Sequence, residues 1–183
     1  MEMPAIEFAL HQCFPADAAT LALVGAATFL ETYAGLLPAE SILWHAATNH
    51  SEAAYQHLLN EPASRAWVAR IPPTWASGSG APVGYAVLSA PDFTPDLIQP
   101  GDLELKRIYC FSRFHGLRIG QSLFDAALAA AREQKARRLL LGVHRDNRRA
   151  LSFYTRNGFV VAGARTFRLG DNVFDDHVLA RTL

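Results

Sequence analysis

Between Leu103 and Phe159 the chain reads as strand, glycine-bearing turn, helix, strand and short helix, and this run limits the fold more than any other stretch. Asp102 to Phe111 and Arg138 to Val143 carry strand patterns, and Ile119 to Lys135 between them carries Leu123, Ala127, Leu128 and Ala131 at helical spacing. A tight hairpin cannot span that distance. The two strands are therefore joined by a crossover and run parallel. The turn before the helix is Phe114-His115-Gly116-Leu117-Arg118-Ile119-Gly120. A helix that starts directly behind such a turn presents backbone N–H groups without intrahelical partners, and its dipole favours negative charge there. A phosphate-bearing ligand is the expected occupant.

The first strand of this unit holds an irregularity. Leu103 and Leu105 alternate on one face, whereas Ile108 and Cys110 continue the apolar pattern on the opposite phase. A β-bulge produces such a slip and often marks the opening of a sheet beside a site; a strand buried on both faces would give the same pattern without one.

The remaining segments supply the rest of one α/β domain over residues 1–183. Ile6 to Leu10 reads as a short strand. Asp17 is an N-cap for a helix over Ala18 to Tyr33, with Leu23, Ala27 and Leu30 on one stripe and Gly35 and Pro38 ending it. Further helices are expected over Ala39 to Ala47 and from Ser51 to Asn60, ahead of Pro62. Strands follow at Arg65 to Ile71 and Val83 to Ser89, joined by a Pro- and Gly-rich loop that carries Trp75. Asn147 opens a short helix through Arg156, Asn157-Gly158 ends it, and Phe159 to Phe167 and Val173 to Arg181 close the sheet as an antiparallel pair around Leu169-Gly170-Asp171-Asn172.

Composition excludes several classes. Lys plus Arg equals Asp plus Glu at 17 each, so the chain lacks the basic excess of a general nucleic-acid binder. Arg137-Arg138 and the Arg145 to Arg149 stretch read as solvated surface charge. Cys13 and Cys110 show no zinc or disulfide spacing. His45, His50 and His57 lie in a polar helical region without an HExxH pair, so no metal is expected. No apolar stretch is long enough to span a bilayer and Met1 to Phe14 is unlike a signal peptide, so a cytoplasmic protein without membrane partners is expected.

Four pieces together resemble the GNAT superfamily, the Gcn5-related N-acetyltransferases that use acetyl-CoA. Glu104-Leu105-Lys106-Arg107-Ile108-Tyr109 is similar to the family's central strand, and His115-Gly116-Leu117-Arg118-Ile119-Gly120 stands where the family has its Q/R-x-x-G-x-G/A pyrophosphate loop. Asn147 to Tyr154 resembles the N-x-x-A-x-x-[FL]-Y helix, and Asn157-Gly158-Phe159 the Gly-Phe that follows. The strand and a late Gly163 to Asp171 segment are similar to the bacterial polyamine-type branch. The loop departs from the pattern twice: His115 replaces Gln or Arg, and Arg118 replaces the first motif glycine. An αR backbone at position 118 would accommodate the side chain, which could then add a contact to a CoA phosphate; the opposite reading is a weakened cofactor site.

The resemblance implies a mixed, mostly antiparallel sheet of about seven strands, flanked by helices and splayed at the cofactor site. It implies transfer of acetyl from acetyl-CoA to a primary amine, with a polyamine or other small amine as acceptor. Protein N-terminal acetylation is the alternative, and a non-catalytic acyl-CoA-binding module the rival from another class. The acetyl carbonyl and pantetheine arm would lie against backbone groups of Tyr109, Cys110 and Phe111, in the manner of an oxyanion hole. The diphosphate would meet the N–H groups of His115, Gly116, Leu117, Arg118, Ile119, Gly120 and Gln121. Asn147 and Phe153 belong to the same cofactor surface. Tyr154 is the candidate general acid, since a phenol keeps its proton at neutral pH; the alternative is a core aromatic on a short helix. Glu104 is the candidate base, facing a polar pocket, or else a salt-bridge partner of Lys106 or Arg107. Cys110 reads as a small hydrophobe, because the family transfers acetyl directly. Homodimerisation is common in the family.

Overall fold

In the computed structural model, which describes residues 7–73, 77–169 and 172–183, one seven-stranded sheet runs in the order β1-β2-β3-β4-β5-β7-β6. Its strands are β1 (Ala9–Cys13), β2 (Arg65–Ile71), β3 (Ala81–Ser89), β4 (Asp102–Cys110), β5 (Arg138–His144), β6 (Val160–Leu169) and β7 (Asn172–Thr182). The helices are α1 (Ala18–Tyr33), α2 (Ala39–Asn49), α3 (Glu52–Asn60), α4 (Ile119–Glu133) and α5 (Arg148–Arg156). Only β4 and β5 pair in parallel, as the α4 crossover requires; every other neighbour is antiparallel. The first strand lies later than Ile6 to Leu10, and Ile6 itself, Trp75, Gly170 and Asp171 fall outside the described residues.

The sheet separates two cores. On one face Leu103, Leu105, Leu139 and Leu141 pack against Leu123, Phe124 and Ala127 of α4 and Tyr154 of α5. On the other, Val68, Tyr85 and Val87 pack against Leu21 and Val24 of α1 and Tyr55 and Leu58 of α3. The stripe expected on α1 is corrected here: Leu23 and Leu30 are 65% and 52% exposed, while Leu21, Val24, Thr28 and Phe29 are buried. This helix is apolar nearly all round, so the sequence pattern does not phase it. Ser51 caps α3 as expected, its Oγ accepting from Ala54 N at 3.1 Å.

A bulge accounts for the phase slip in β4. Val87 pairs with Arg107 but Leu88 with Leu105, leaving Lys106 as the extra residue. Ile108 and Cys110 thereby return to the α4 side, and Arg107 and Tyr109 turn to the α1 side. Strands β4 and β5 pair only at Asp102–Arg138, Leu103–Leu139 and Glu104–Leu140, then part. The base of the fork is fastened by Arg138, which donates Nε to Asp102 Oδ1 at 2.9 Å and Nη2 to Oδ2 at 2.6 Å. Burial alone would push the Asp102 carboxyl up, but the guanidinium and the Gln99 amide hold it below its usual value. Arg138 is therefore a buried-strand fastening rather than surface charge.

Candidate active site

The register identifies which backbone groups face the fork. Phe111 N donates to Val83 O at 3.0 Å, which makes this a hydrogen-bonded pair of the antiparallel ladder. Alternation then turns Tyr109 toward β3 as well, and points the N–H and C=O of Ile108 and Cys110 toward β5, which has already left. The expected backbone surface over Tyr109, Cys110 and Phe111 thus narrows to Cys110, with Ile108 added. The Cys110 carbonyl accepts from His115 Nε2 at 3.0 Å, leaving the Cys110 N–H directed into the opening.

The turn follows at once. In α4 the first N–H donated within the helix is that of Ser122, to Arg118 O at 2.9 Å, so those of Ile119, Gly120 and Gln121 have no helical acceptor. A Cβ placed on Gly116 or on Gly120 would meet nothing within 4 Å, so both glycines front open space. Unpartnered donors above an open floor fit a diphosphate, and these residues are the ones that would hold the CoA diphosphate. Arg118 is not αR: it caps α4 at φ 64°, ψ 4°, in the left-handed region that glycine adopts freely. The sequence expectation of an accommodating right-handed backbone is overturned, and the side chain is held there at a cost.

His115 is a brace. Arg149 of α5 donates to its Nδ1, so that nitrogen carries the lone pair and Nε2–H donates to Cys110 O. The ring ties the turn to the end of β4 and to α5. Gln121 exchanges side-chain hydrogen bonds with Asn157 at 3.0 and 3.3 Å, fixing α4 against the end of α5. Leu117 packs on the α4-side core.

Tyr154 projects from α5 into that core, 8% exposed, edge-on to Phe153 at 5.4 Å and Phe159 at 5.7 Å between centroids. Burial and the nearby Tyr109 phenol push its pKa well above the ordinary tyrosine value. Phe153 also meets Phe124 edge-on at 5.8 Å. Asn147 caps α5 through Oδ1, which accepts from Ala150 N at 3.1 Å. The Cys110 thiol is pushed up to about 11 by burial and then by Glu31, so it is not a thiolate. Glu104 is 3% exposed; its Oε2 accepts from Asp92 N at 3.0 Å and stands 3.9 Å from Lys106 Nζ. Burial raises its pKa against those contacts. The salt-bridge alternative falls to Lys106, not Arg107.

On the α1 side, the side-chain contacts of Tyr109 and the part played by Asp176 and Phe174 went unread in the sequence. The Tyr33 and Tyr109 phenols lie near each other where α1 meets β4; the Tyr109 phenol and then burial raise the pKa of Tyr33, and burial raises that of Tyr109. Asp176 of β7, 8% exposed, lies across from His144 at the end of β5 and 3.4 Å from Arg165 Nε; burial raises its pKa. Phe174 meets the His144 ring at 5.8 Å and packs on Phe29, Leu37 and Ile42. Glu31 reaches from α1 to Ser112, accepting from its N at 2.9 Å and its Oγ at 3.0 Å. No local pattern marks these residues, because they converge from α1, β4 and β7. His57 stands apart from His45 and His50, 84% exposed and 3.6 Å from Glu61.

The profile of the acetyltransferase (GNAT) family matches residues 29–159, which span the whole fork and turn. The chain belongs to the GNAT family. An uncharacterized N-acetyltransferase of Mycobacterium tuberculosis is 34% identical to this GNAT protein over 167 residues, covering 91% of this chain and 98% of the relative. A second relative, from Lactobacillus delbrueckii subsp. lactis, is 33% identical over 57% of this chain and 60% of its own length. Among solved structures, the PaiA N-acetyltransferase of Thermoplasma acidophilum in complex with coenzyme A shares the GNAT fold at a TM-score of 0.72, with 21% identity over 97% of this chain and all of that one. A GCN5-related N-acetyltransferase from Rhodopseudomonas palustris does so at 0.69, with 20% identity. Among the described residues no helix is long and apolar enough to cross a membrane.

Proposed function

We propose that this GNAT protein moves the acetyl group of acetyl-CoA directly to the primary amine of a small molecule at the fork between β4 and β5. The observation that carries the reading is the Cys110 N–H, unpaired at the point where the strands part and next to the open floor of Gly116 and Gly120. Acetyl-CoA supplies an activated thioester; the chain supplies placement, a donor and a proton. The diphosphate rests on the N–H groups at the start of α4, with Asn147 and Phe153 along the arm. The Cys110 N–H donates to the carbonyl oxygen as negative charge grows there. The neutral amine attacks the carbonyl carbon, the C–N bond forms, and the C–S bond breaks. Tyr154, still protonated at neutral pH because its pKa is raised, gives its proton to the departing sulfur. A buried carboxylate of raised pKa, Glu104 as read from the sequence or Asp176 near the mouth, takes the ammonium proton through water. Cys110 stays a thiol throughout.

Calorimetry tests the first half. Acetyl-CoA binds with micromolar affinity, and NAD and ATP do not compete at similar concentrations. Release of the CoA thiol with an amine panel tests the second. Tyr154→Phe lowers kcat by about a hundredfold with the acetyl-CoA Kd unchanged. An unchanged kcat removes Tyr154 from the reaction; absence of acetyl-CoA binding removes the function.

A further inference from the structure

Arg107 projects from the bulge of β4 into an aromatic cage on the α1 side. Its guanidinium carbon lies 5.3 Å from the centre of the Tyr55 ring. Tyr55 meets Tyr85 edge-on at 6.3 Å, and Tyr85 stacks on Tyr109 at 6.0 Å. His50 donates or accepts at Tyr55 OH over 2.9 Å, and Phe29 stacks on His45 at 4.1 Å and meets Tyr33 at 4.5 Å. The cage ends at Tyr33 and Tyr109, beside the residue whose N–H faces the fork.

The charges in this region do not balance. Three carboxylates are buried among the described residues, and each has a cation: Asp102 has Arg138, Glu104 has Lys106, and Asp176 has Arg165. Arg107 is half-buried and, among the described residues, has no carboxylate within ion-pair distance. The histidines facing it add no charge at neutral pH. Burial, then Arg107, lowers His45 to about 4, and burial, Arg107 and His45 lower His50 to about 3. Two buried polar atoms of the same cluster, His50 Nε2 and the Tyr85 hydroxyl, also lack a hydrogen-bond partner. A partly desolvated guanidinium that lies against the Tyr55 ring and has no carboxylate partner among the described residues, beside two buried polar atoms without partners, is a site for an anion that those residues do not provide.

We infer that the acetyl acceptor carries a carboxylate as well as its amine, and that Arg107 receives the carboxylate while the amine reaches the fork. A planar carboxylate matches the guanidinium fork in a two-point contact and supplies the negative charge that Arg107 lacks among the described residues. The carbon skeleton of the acceptor would rest against the half-buried Tyr33 and Tyr109 rings at the end of the cage, since Tyr55 and Tyr85 are fully buried. A polyamine has no group to offer Arg107 and would place like charge beside it. The inference rests on the acetyltransfer reading above and names the acceptor class of that site.

The test compares acceptors that differ only in the carboxylate: L-phenylalanine against phenethylamine, and 6-aminohexanoate against hexylamine, with spermidine as a polycation. Thiol release is measured with wild type, Arg107→Gln and Arg107→Lys. The expected result is a kcat/KM at least about tenfold higher for the carboxylate member of a pair, corresponding to about 1.4 kcal/mol. Arg107→Gln erases that preference through KM, and Arg107→Lys keeps part of it. Equal or better use of the bare amines or spermidine by wild type overturns the inference, as does a preference unchanged in Arg107→Gln. Because the wild-type comparison is decisive by itself, misfolding of a variant does not protect the idea. Calorimetry of N-acetyl-L-phenylalanine and 6-acetamidohexanoate with the CoA-loaded protein adds a readout independent of turnover, and absence of binding by both overturns the inference too. Acetyl-CoA affinity is measured separately: its loss sinks the acetyltransfer reading, whereas its presence without carboxylate preference sinks only this one.

Discussion

At the scale of single residues, Arg118 is where sequence and backbone disagree. Its φ of 64° lies in the region where the Cβ of an L-residue crowds the following carbonyl, at a cost on the order of 1 kcal/mol. A glycine would adopt that conformation freely. Arg118→Gly is therefore expected to raise the thermal midpoint by about 2–4 °C, while Arg118→Ala, which keeps the Cβ, does not. A glycine variant that melts at or below wild type would show that the side chain repays its strain through contacts in the loop. Calorimetry on the same pair separates strain from charge. If the guanidinium helps hold a CoA phosphate, both variants lose acetyl-CoA affinity equally, although only one gains stability.

At the scale of elements, Gly25 sets how closely α1 packs on α3. A Cβ there would stand 2.5 Å from the Tyr55 hydroxyl and nearer still to His50 Nδ1. Both atoms are tied into the His50–Tyr55 hydrogen bond, so neither yields cheaply. Gly25→Ala is expected to destabilise by about 1–3 kcal/mol, read as a fall in denaturation midpoint at constant m-value. No change would mean that the helices slide apart without loss. The sequence did not mark Gly25, and the contrast with other elements is instructive. Boundaries were legible where a local signal exists: Gly35 follows the end of α1, Ser51 and Pro62 frame α3, and Asn147 and Gly158 frame α5, whereas Asp17 stands at the N-cap position of α1 but turns its carboxylate back to Phe14 N. The phase slip in β4 pointed to a bulge as one of two readings, and the bulge is what the strand has; the glycine turn stands, open, at the start of α4. The buried face of α1 was misread because an all-round apolar helix has no polar stripe to orient it. The Arg107 cage was illegible for a deeper reason. Its rings come from α1, α2, α3, β3 and β4, and only tertiary folding brings them together.

At the scale of the whole molecule, the sheet divides the labour. The α4 face carries the glycine turn and Tyr154, the α1 face carries the aromatic cage, and the fork joins them. This arrangement buries His50 and half-buries His45, both against the Phe29 ring, with consequences for acid stability. The folded values of His45 and His50, about 4 and about 3, lie below the ordinary histidine value near 6.5. Between those limits the unfolded chain binds more protons than the folded one, so stability rises with pH across the window and is fully present above about 6.5. Asp102 acts in the same direction lower down: its folded value is depressed, so its contribution is lost as pH falls through that value. Glu104 and Asp176, raised by burial, act in the opposite direction, favouring the fold most at pH below their unfolded values and losing that as pH rises through the folded ones. The histidine share is isolated by comparing wild type with His50→Gln, in which an uncharged amide can still meet Tyr55 OH. Melting followed by circular dichroism from about pH 7.5 to 4 should show a midpoint that falls on acidification in wild type and falls less steeply in the variant, whatever the variant's starting stability. Parallel slopes would mean that His50 reaches solvent and takes up its proton in the folded state, and the closed cage inferred around Arg107 would then have to be open on its α2 side.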